Sequence, residues 1–242
     1  MNDLPARTRV RFRRTWRIIR SIYPPADLFD DIAEPRDWEL LATAEAKTNP
    51  RVRDQSGEIS LVPPERRLSG PGASWVMAPF THCSPLRPSR FSDGTYGVYY
   101  AGDRFDVALV ETVFHFERFM RATNEEPATA DFRELVGRID AELHDLRRDA
   151  RFAYCLDPDP ASYPVSQVLA RTLRDAHASD GIVYPSVRWP KGVAVAAFWP
   201  DVVGIPVQGR HLCYRWNGHR ADAYFIYGQE AWIPLDASAP AS

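Results

Sequence analysis

Three residues in this chain stand where their chemistry asks for a partner or a purpose. Glu111 lies within Val107-Ala108-Leu109-Val110-Glu111-Thr112-Val113-Phe114, the most apolar part of the strongest helical pattern in the sequence. Burying an ionised carboxylate there is costly unless something compensates it. One reading is a glutamate at the helix rim that reaches solvent or an arginine. The other is a carboxylate held on a rigid element at a cleft, suited to act as general base or to stabilise a developing cation. His115, four residues on, shares its face. Arg90 sits in the turn-rich Pro88-Ser89-Arg90-Phe91-Ser92-Asp93-Gly94, which feeds into Gly94–Ala101. It reads either as a surface arginine beside a turn or as a functional loop residue. Ser186 follows Pro185, which stops a strand. No G-x-S-x-G elbow surrounds it, so its hydroxyl suits hydrogen bonding rather than nucleophilic attack, or is that of a plain loop serine.

Other chemistries lack their signatures. The six histidines show no HExxH or other metal-ligand spacing, so no metal is expected. No P-loop is present, and no GxGxxG follows a strand. Cys83, Cys155 and Cys213 are too few and too scattered for a disulfide scaffold or zinc ribbon and suit a reducing cytoplasm.

The elements that would position these residues are short and punctuated by 21 prolines. Alternation of Val10 and Phe12 with Arg9, Arg11 and Arg13 marks Arg9 to Ile22 as one or two strands with one wet face, ended by Pro24-Pro25. Two short helices are expected near Ala26–Ala33 and Arg36–Ala46, then a polar connection from Asn49 to Gly72. Ser74–Phe80 and Gly94–Ala101 read as strands. Arg104–Thr123 is the best helix, with Phe105, Leu109, Thr112, Phe116 and Phe119 at helical spacing. Arg138–His144 alternates as a strand, and Tyr163–Ser179 reads as a second helix. Gly181–Tyr184, Gly192–Trp199, Leu212–Trp216 and Ala223–Tyr227 read as strands, the last two joined by an Asn217-Gly218 turn. Strands at both ends around central helices predict an α+β domain. One domain is expected over 1–236, with 237–242 a loose tail.

Composition bounds the rest. The 242 residues are 45% hydrophobic and 26% charged with a formal net charge of -2, which excludes bulk disorder and a broad polyanion-binding surface. Lys47 and Lys191 are the two lysines among 30 basic residues. Genome bias explains such a skew, although arginine is also the better grip for bidentate anions. No apolar run is long enough to span a membrane. Direct nucleic-acid binding by the basic N-terminal strand is not expected.

Read together, Arg90-Phe91-Ser92-Asp93-Gly94, Gly97-Val98-Tyr99-Tyr100-Ala101, Ala108-Leu109-Val110-Glu111-Thr112 and Asp180-Gly181-Ile182-Val183-Tyr184-Pro185-Ser186-Val187-Arg188 resemble the RES domain family. That family is named for an Arg, a Glu and a Ser in this order, the places of Arg90, Glu111 and Ser186. Trp16-Arg17-Ile18 resembles its opening, and the resemblance runs from about Arg14 to Tyr227, with 26–84 like the insertion of the long subgroup. Phe91-Ser92 departs from the usual Trp-Asn, and one extra residue precedes Glu111. The resemblance implies an ADP-ribosyltransferase-like split β-core flanked by helices. It also implies a cytoplasmic toxin that degrades NAD as substrate, without a further cofactor, under an Xre-type antitoxin. The ADP-ribosyl group would pass to inorganic phosphate or water, or, alternatively, to a protein; an inactive domain acting with the antitoxin in autoregulation is the reading from another class. Homo-oligomers are compatible with it. Glu111 would orient the ribose, Arg90 bind the pyrophosphate, and Ser186 hydrogen-bond the ribose or amide. Tyr99 or Tyr100 would pack on nicotinamide, and His82 and His115 are further candidates for the cleft.

Overall fold

The computed structural model describes residues 4–22 and 57–235. The helices expected near Ala26–Ala33 and Arg36–Ala46, and the tail 237–242, lie outside the described residues. The chain adopts the expected α+β class. Among the described residues eight strands, β1 (Arg7–Arg20), β2 (Tyr99–Gly102), β3 (Ala128–Asp145), β4 (Gly181–Pro185), β5 (Val193–Ala197), β6 (Val207–Trp216), β7 (Ala221–Ile226) and β8 (Ile233–Pro234), run in the order β1-β2-β5-β4-β3-β6-β7-β8. β1 also pairs with β3, from Arg7–His144 to Arg20–Phe132. By contrast, β1 meets β2 only at Trp16–Gly102, and β3 meets β4 only at His144–Ile182 and Asp145–Val183. The strands therefore form two part-sheets, β1-β3-β6-β7-β8 and β2-β5-β4, joined at two narrow seams.

β1 shows the expected alternation. Val10 is buried, Arg9, Arg11 and Arg13 are exposed, and Arg9 Nε donates to Asp140 of β3 at 2.6 Å. Among the described residues three α-helices cover the sheet: α1 (Ala73–Thr81), α2 (Phe105–Ala122) and α3 (Tyr163–Arg171), the last continued by a π-turn over Thr172–Ala176. α2 carries Asp106 in its first turn and Arg121 in its last, matching the helix dipole. It ends where Asn124 turns left-handed at φ 52° and Glu125 N–H closes on Met120 O. Phe119 departs from the expected apolar face and is exposed.

Ser74–Phe80 is helical, not a strand. Ala73, Val76, Met77 and Phe80, spaced as on one helix face, are buried together with Tyr99, Leu143 and Val195. The Gly94–Ala101 strand is shorter than expected and begins only at Tyr99, because Ser92 Oγ and Asp93 Oδ1 accept from the Gly94 and Thr95 N–H groups and build a turn. β3 begins ten residues before Arg138. Its polar Arg133 and Glu134 are buried because Arg133 donates to Ser21 O at 3.0 Å and Arg210 of β6 closes on the Glu134 carboxylate at 2.6 and 2.8 Å. A second core lies under α3 (Phe91, Leu173, Ile182, Tyr184, Phe198), and a third between α2 and β3, β6 and β7 (Phe116, Phe132, Tyr214, Trp216).

Candidate active site

A cleft opens where the second and third cores diverge. It is lined by Trp16, Arg17 and Ile18 of β1, Tyr100 to Gly102 of β2, and Ala108, Glu111, Thr112 and His115 of α2. Ser89, Arg90, Tyr163, Tyr184 and Arg188 close the far wall. Two arginines of the far wall, Arg90 and Arg188, thus stand about one carboxylate, so the cleft carries more positive than negative charge in a chain whose formal charge is -2.

Glu111 is held from both sides. The Ser186 hydroxyl donates to Oε1 at 3.2 Å, and Arg188 Nη1 donates to Oε2 at 2.9 Å. Compensation for this carboxylate therefore comes from the β4–β5 turn, not from His115. Ser186 is itself fixed by the Trp189 N–H, which donates to its Oγ, and by its own N–H on Gly192 O. Gly192 is needed for that turn to approach α2, because a Cβ there would stand 2.1 Å from Val107 Cγ2. Arg188 lies with its guanidinium 3.5 Å from the Phe114 ring centre, and its Nη2 is 3.4 Å from Pro158 O.

Arg90 is buried, not a surface residue. Its Nη1 donates to Cys155 O at 2.8 Å and Asp157 O at 2.7 Å, and its guanidinium stacks 4.7 Å from the Tyr163 ring centre. Its Nη2 is buried and has no hydrogen-bond partner among the described residues. A buried cationic donor without an acceptor is a position that an anionic ligand would satisfy.

Tyr100, not Tyr99, faces the cleft. The Tyr100 hydroxyl is 2.9 Å from Ser89 Oγ and accepts from the Phe91 N–H at 3.0 Å, which ties the Arg90 loop to β2. Burial pushes its phenol up to about 12. Tyr99 points through the sheet into the α1 core, with Arg17 stacked 4.7 Å over its ring. Arg17 Nη1 donates to Tyr100 O at 3.1 Å, and burial lowers its pKa. His82 caps the end of α1, exposed and outside the cleft. His115 stands exposed at the cleft mouth, where crowding by its surroundings, then the charges of Arg188, Arg118 and Arg90, lower its pKa. Burial and the Glu111 charge raise the Tyr184 phenol well above its ordinary value.

The structure brings Arg90, Glu111, Ser186, Tyr100 and His115 to one place and leaves Tyr99 and His82 elsewhere. It adds Tyr163 and Arg188. Arg188 lies within one of the family-like motifs and shares a turn with Ser186 two residues earlier, which was the available signal. Tyr163 gave none. No group of three or more His, Cys, Asp or Glu among the described residues is placed to hold a metal. No helix among them is long and apolar enough to cross a membrane.

Residues 64–217, which carry Arg90, Glu111 and Ser186 in order, match the RES domain. The chain belongs to the RES domain family. Membership associates it with toxin–antitoxin proteins and with enzyme-like domains that use NAD. The RES chain is also 26% identical over 218 residues to the protein y4oC of Sinorhizobium fredii (strain NBRC 101917 / NGR234), itself named as uncharacterized; the match covers 88% of this chain and 86% of the relative. The RES match begins in the turn before α1 and ends at the β6–β7 hairpin, so it spans the whole far wall of the cleft but not β1.

Proposed function

We propose that this RES protein is a cytoplasmic toxin that destroys NAD by breaking its nicotinamide–ribose bond, under the control of an Xre-type antitoxin. The observation that carries this reading is the pairing, across one cleft, of a doubly held carboxylate with a buried arginine nitrogen that has no acceptor among the described residues. Breaking the bond sends its electron pair to the pyridinium nitrogen, releasing neutral nicotinamide and leaving oxocarbenium character on the ribose. Glu111 is suited to accept hydrogen bonds from the ribose hydroxyls and to offset that charge. Arg90 Nη2 is suited to a pyrophosphate oxygen, and the Tyr100 ring to packing on nicotinamide. Ser186 serves by holding Glu111 rather than by attack. Phosphate or water then forms the new bond to the anomeric carbon and loses a proton to solvent.

The test is incubation of the pure protein with NAD, with and without phosphate. Nicotinamide should be released, and Glu111→Ala should slow release by roughly 10²–10³-fold, the scale of losing one electrostatic contact at a developing charge. The remaining product, ADP-ribose or its 1-phosphate, identifies the acceptor. Absence of nicotinamide, or an unchanged rate in the variant, overturns the reading.

A further inference from the structure

We propose that Arg188 is a positioning residue, whose task is to fix the Glu111 carboxylate for the reaction rather than to bind substrate. The inference rests on the reading of the cleft as an NAD-cleaving site and adds a residue to it.

Two arginines of the far wall differ in what they leave free. Arg90 keeps Nη2 without a partner among the described residues. Arg188 is committed on every side: Nη1 to Glu111, Nη2 toward Pro158 O, and its face to Phe114. Its side chain is 7% exposed, whereas that of Glu111 is 26% exposed and borders the open cleft. A glutamate so placed has several torsions free to sample, and among the described residues two donors restrain it. Glu111 and Phe114 are three residues apart on α2, so Arg188 grips one helix face at two points. Through Pro158 it also reaches the segment whose Cys155 and Asp157 carbonyls hold Arg90. Arg188 therefore sets the distance between the carboxylate and the anion-facing arginine. Misplacing a reacting contact by about 1 Å costs roughly 10²-fold, and the buried Arg188 charge in turn demands that Glu111 stay beside it.

The experiment is a double-mutant cycle on nicotinamide release with Arg188→Gln, Glu111→Gln and the pair, with Arg188→Lys alongside and melting curves for each. Arg188→Gln should lower kcat by about 10²-fold and leave KM for NAD within about twofold. Arg188→Lys should recover part of the loss, because it restores the charge but cannot reach Glu111 and Pro158 together. In the Glu111→Gln background, removing Arg188 should cost less than about twofold further, since a residue that acts through Glu111 has nothing left to position. A rise in KM with kcat unchanged, or losses that simply add in the double variant, overturns the inference, as does full activity in Arg188→Gln. If Arg188→Gln does not fold, the same cycle with Arg188→Lys, which keeps the buried charge, decides the matter by the same criteria. Lack of nicotinamide release by the unaltered protein would remove the underlying reading and this inference with it. Release by that protein together with an undisturbed Arg188→Gln would overturn the inference alone.

Discussion

Arg90→Lys isolates the nitrogen on which the anion-binding argument depends. Nη1 serves the Cys155 and Asp157 carbonyls, and Nη2 is buried beside the cleft with no acceptor among the described residues. A lysine ammonium placed where Nη1 stands can still donate to both carbonyls, so the fold should lose only about 1 kcal/mol, mostly stacking on Tyr163. Nothing replaces Nη2. A hydrogen bond from a charged donor to a phosphate oxygen is worth about 1.5–3 kcal/mol, which is roughly 10- to 150-fold in affinity. Calorimetric titration with ADP-ribose, which has no nicotinamide to lose, should show that weakening, while adenosine, which has no phosphate, should bind the two proteins equally. Equal ADP-ribose affinity in a folded Arg90→Lys protein would refute the role of Nη2. A matching loss for adenosine would show that the cleft itself had been damaged and would refute it as well.

Other expectations follow from single features. Tyr100→Phe removes the hydroxyl that joins Ser89 and Phe91 to β2 and should cost about 1–2 kcal/mol and slow NAD cleavage, whereas Tyr99→Phe should leave the rate unchanged in the same assay. His144 is buried against Ser179 Oγ at 2.7 Å, and desolvation, then Arg7 and His177, lower its pKa to about 4. Its folded value lies below the unfolded one, so the stability it contributes is present above about pH 6.5 and is lost as the pH falls toward 4. The melting temperature should drop across that window, and His144→Gln should flatten the drop. Gly97→Ala would place a Cβ 2.2 Å from both Phe80 Cα and Pro79 O, backbone atoms of α1 that cannot swing aside. It should destabilise by about 3 kcal/mol or more, the upper range for overpacking, read by thermal melting.

Much of the cleft was legible because its residues fall in short, ordered segments. The α2 helix declares itself by periodicity, and an apolar neighbourhood marks Glu111 as a residue needing compensation. What compensates it was not legible. Helical spacing offers His115, while the structure supplies Arg188 from 77 residues away, a contact made only when the β4–β5 turn folds back on α2. Ser74–Phe80 misreads as a strand because a short apolar run buried on most sides resembles one, although Ala73, Val76, Met77 and Phe80 carry the helical spacing. The first half of β3 went unassigned: it carries Asp131, Arg133 and Glu134, and the pairing of Glu134 with Arg210 is invisible until β3 and β6 are side by side. Adjacent tyrosines on a strand must face opposite ways, and only the placement of α1 decides that Tyr99 is the one turned inward.

The order in which the cleft's parts occur along the chain has a consequence for synthesis. β1 finds its partner late: Arg9 bonds Asp140, 131 residues further on. Glu111 likewise waits 75 residues for Ser186 and 77 for Arg188. At translation rates of about 5–20 residues per second, the carboxylate spends roughly 4–15 s on the ribosome before its two donors exist. Non-local pairings of this kind are also slow to form once the chain is complete. A chain released before position 188 carries an unbraced glutamate and an unclosed wall. The newly made polypeptide therefore passes through an interval in which the cleft cannot yet be assembled, and that interval is written into the chain's own topology.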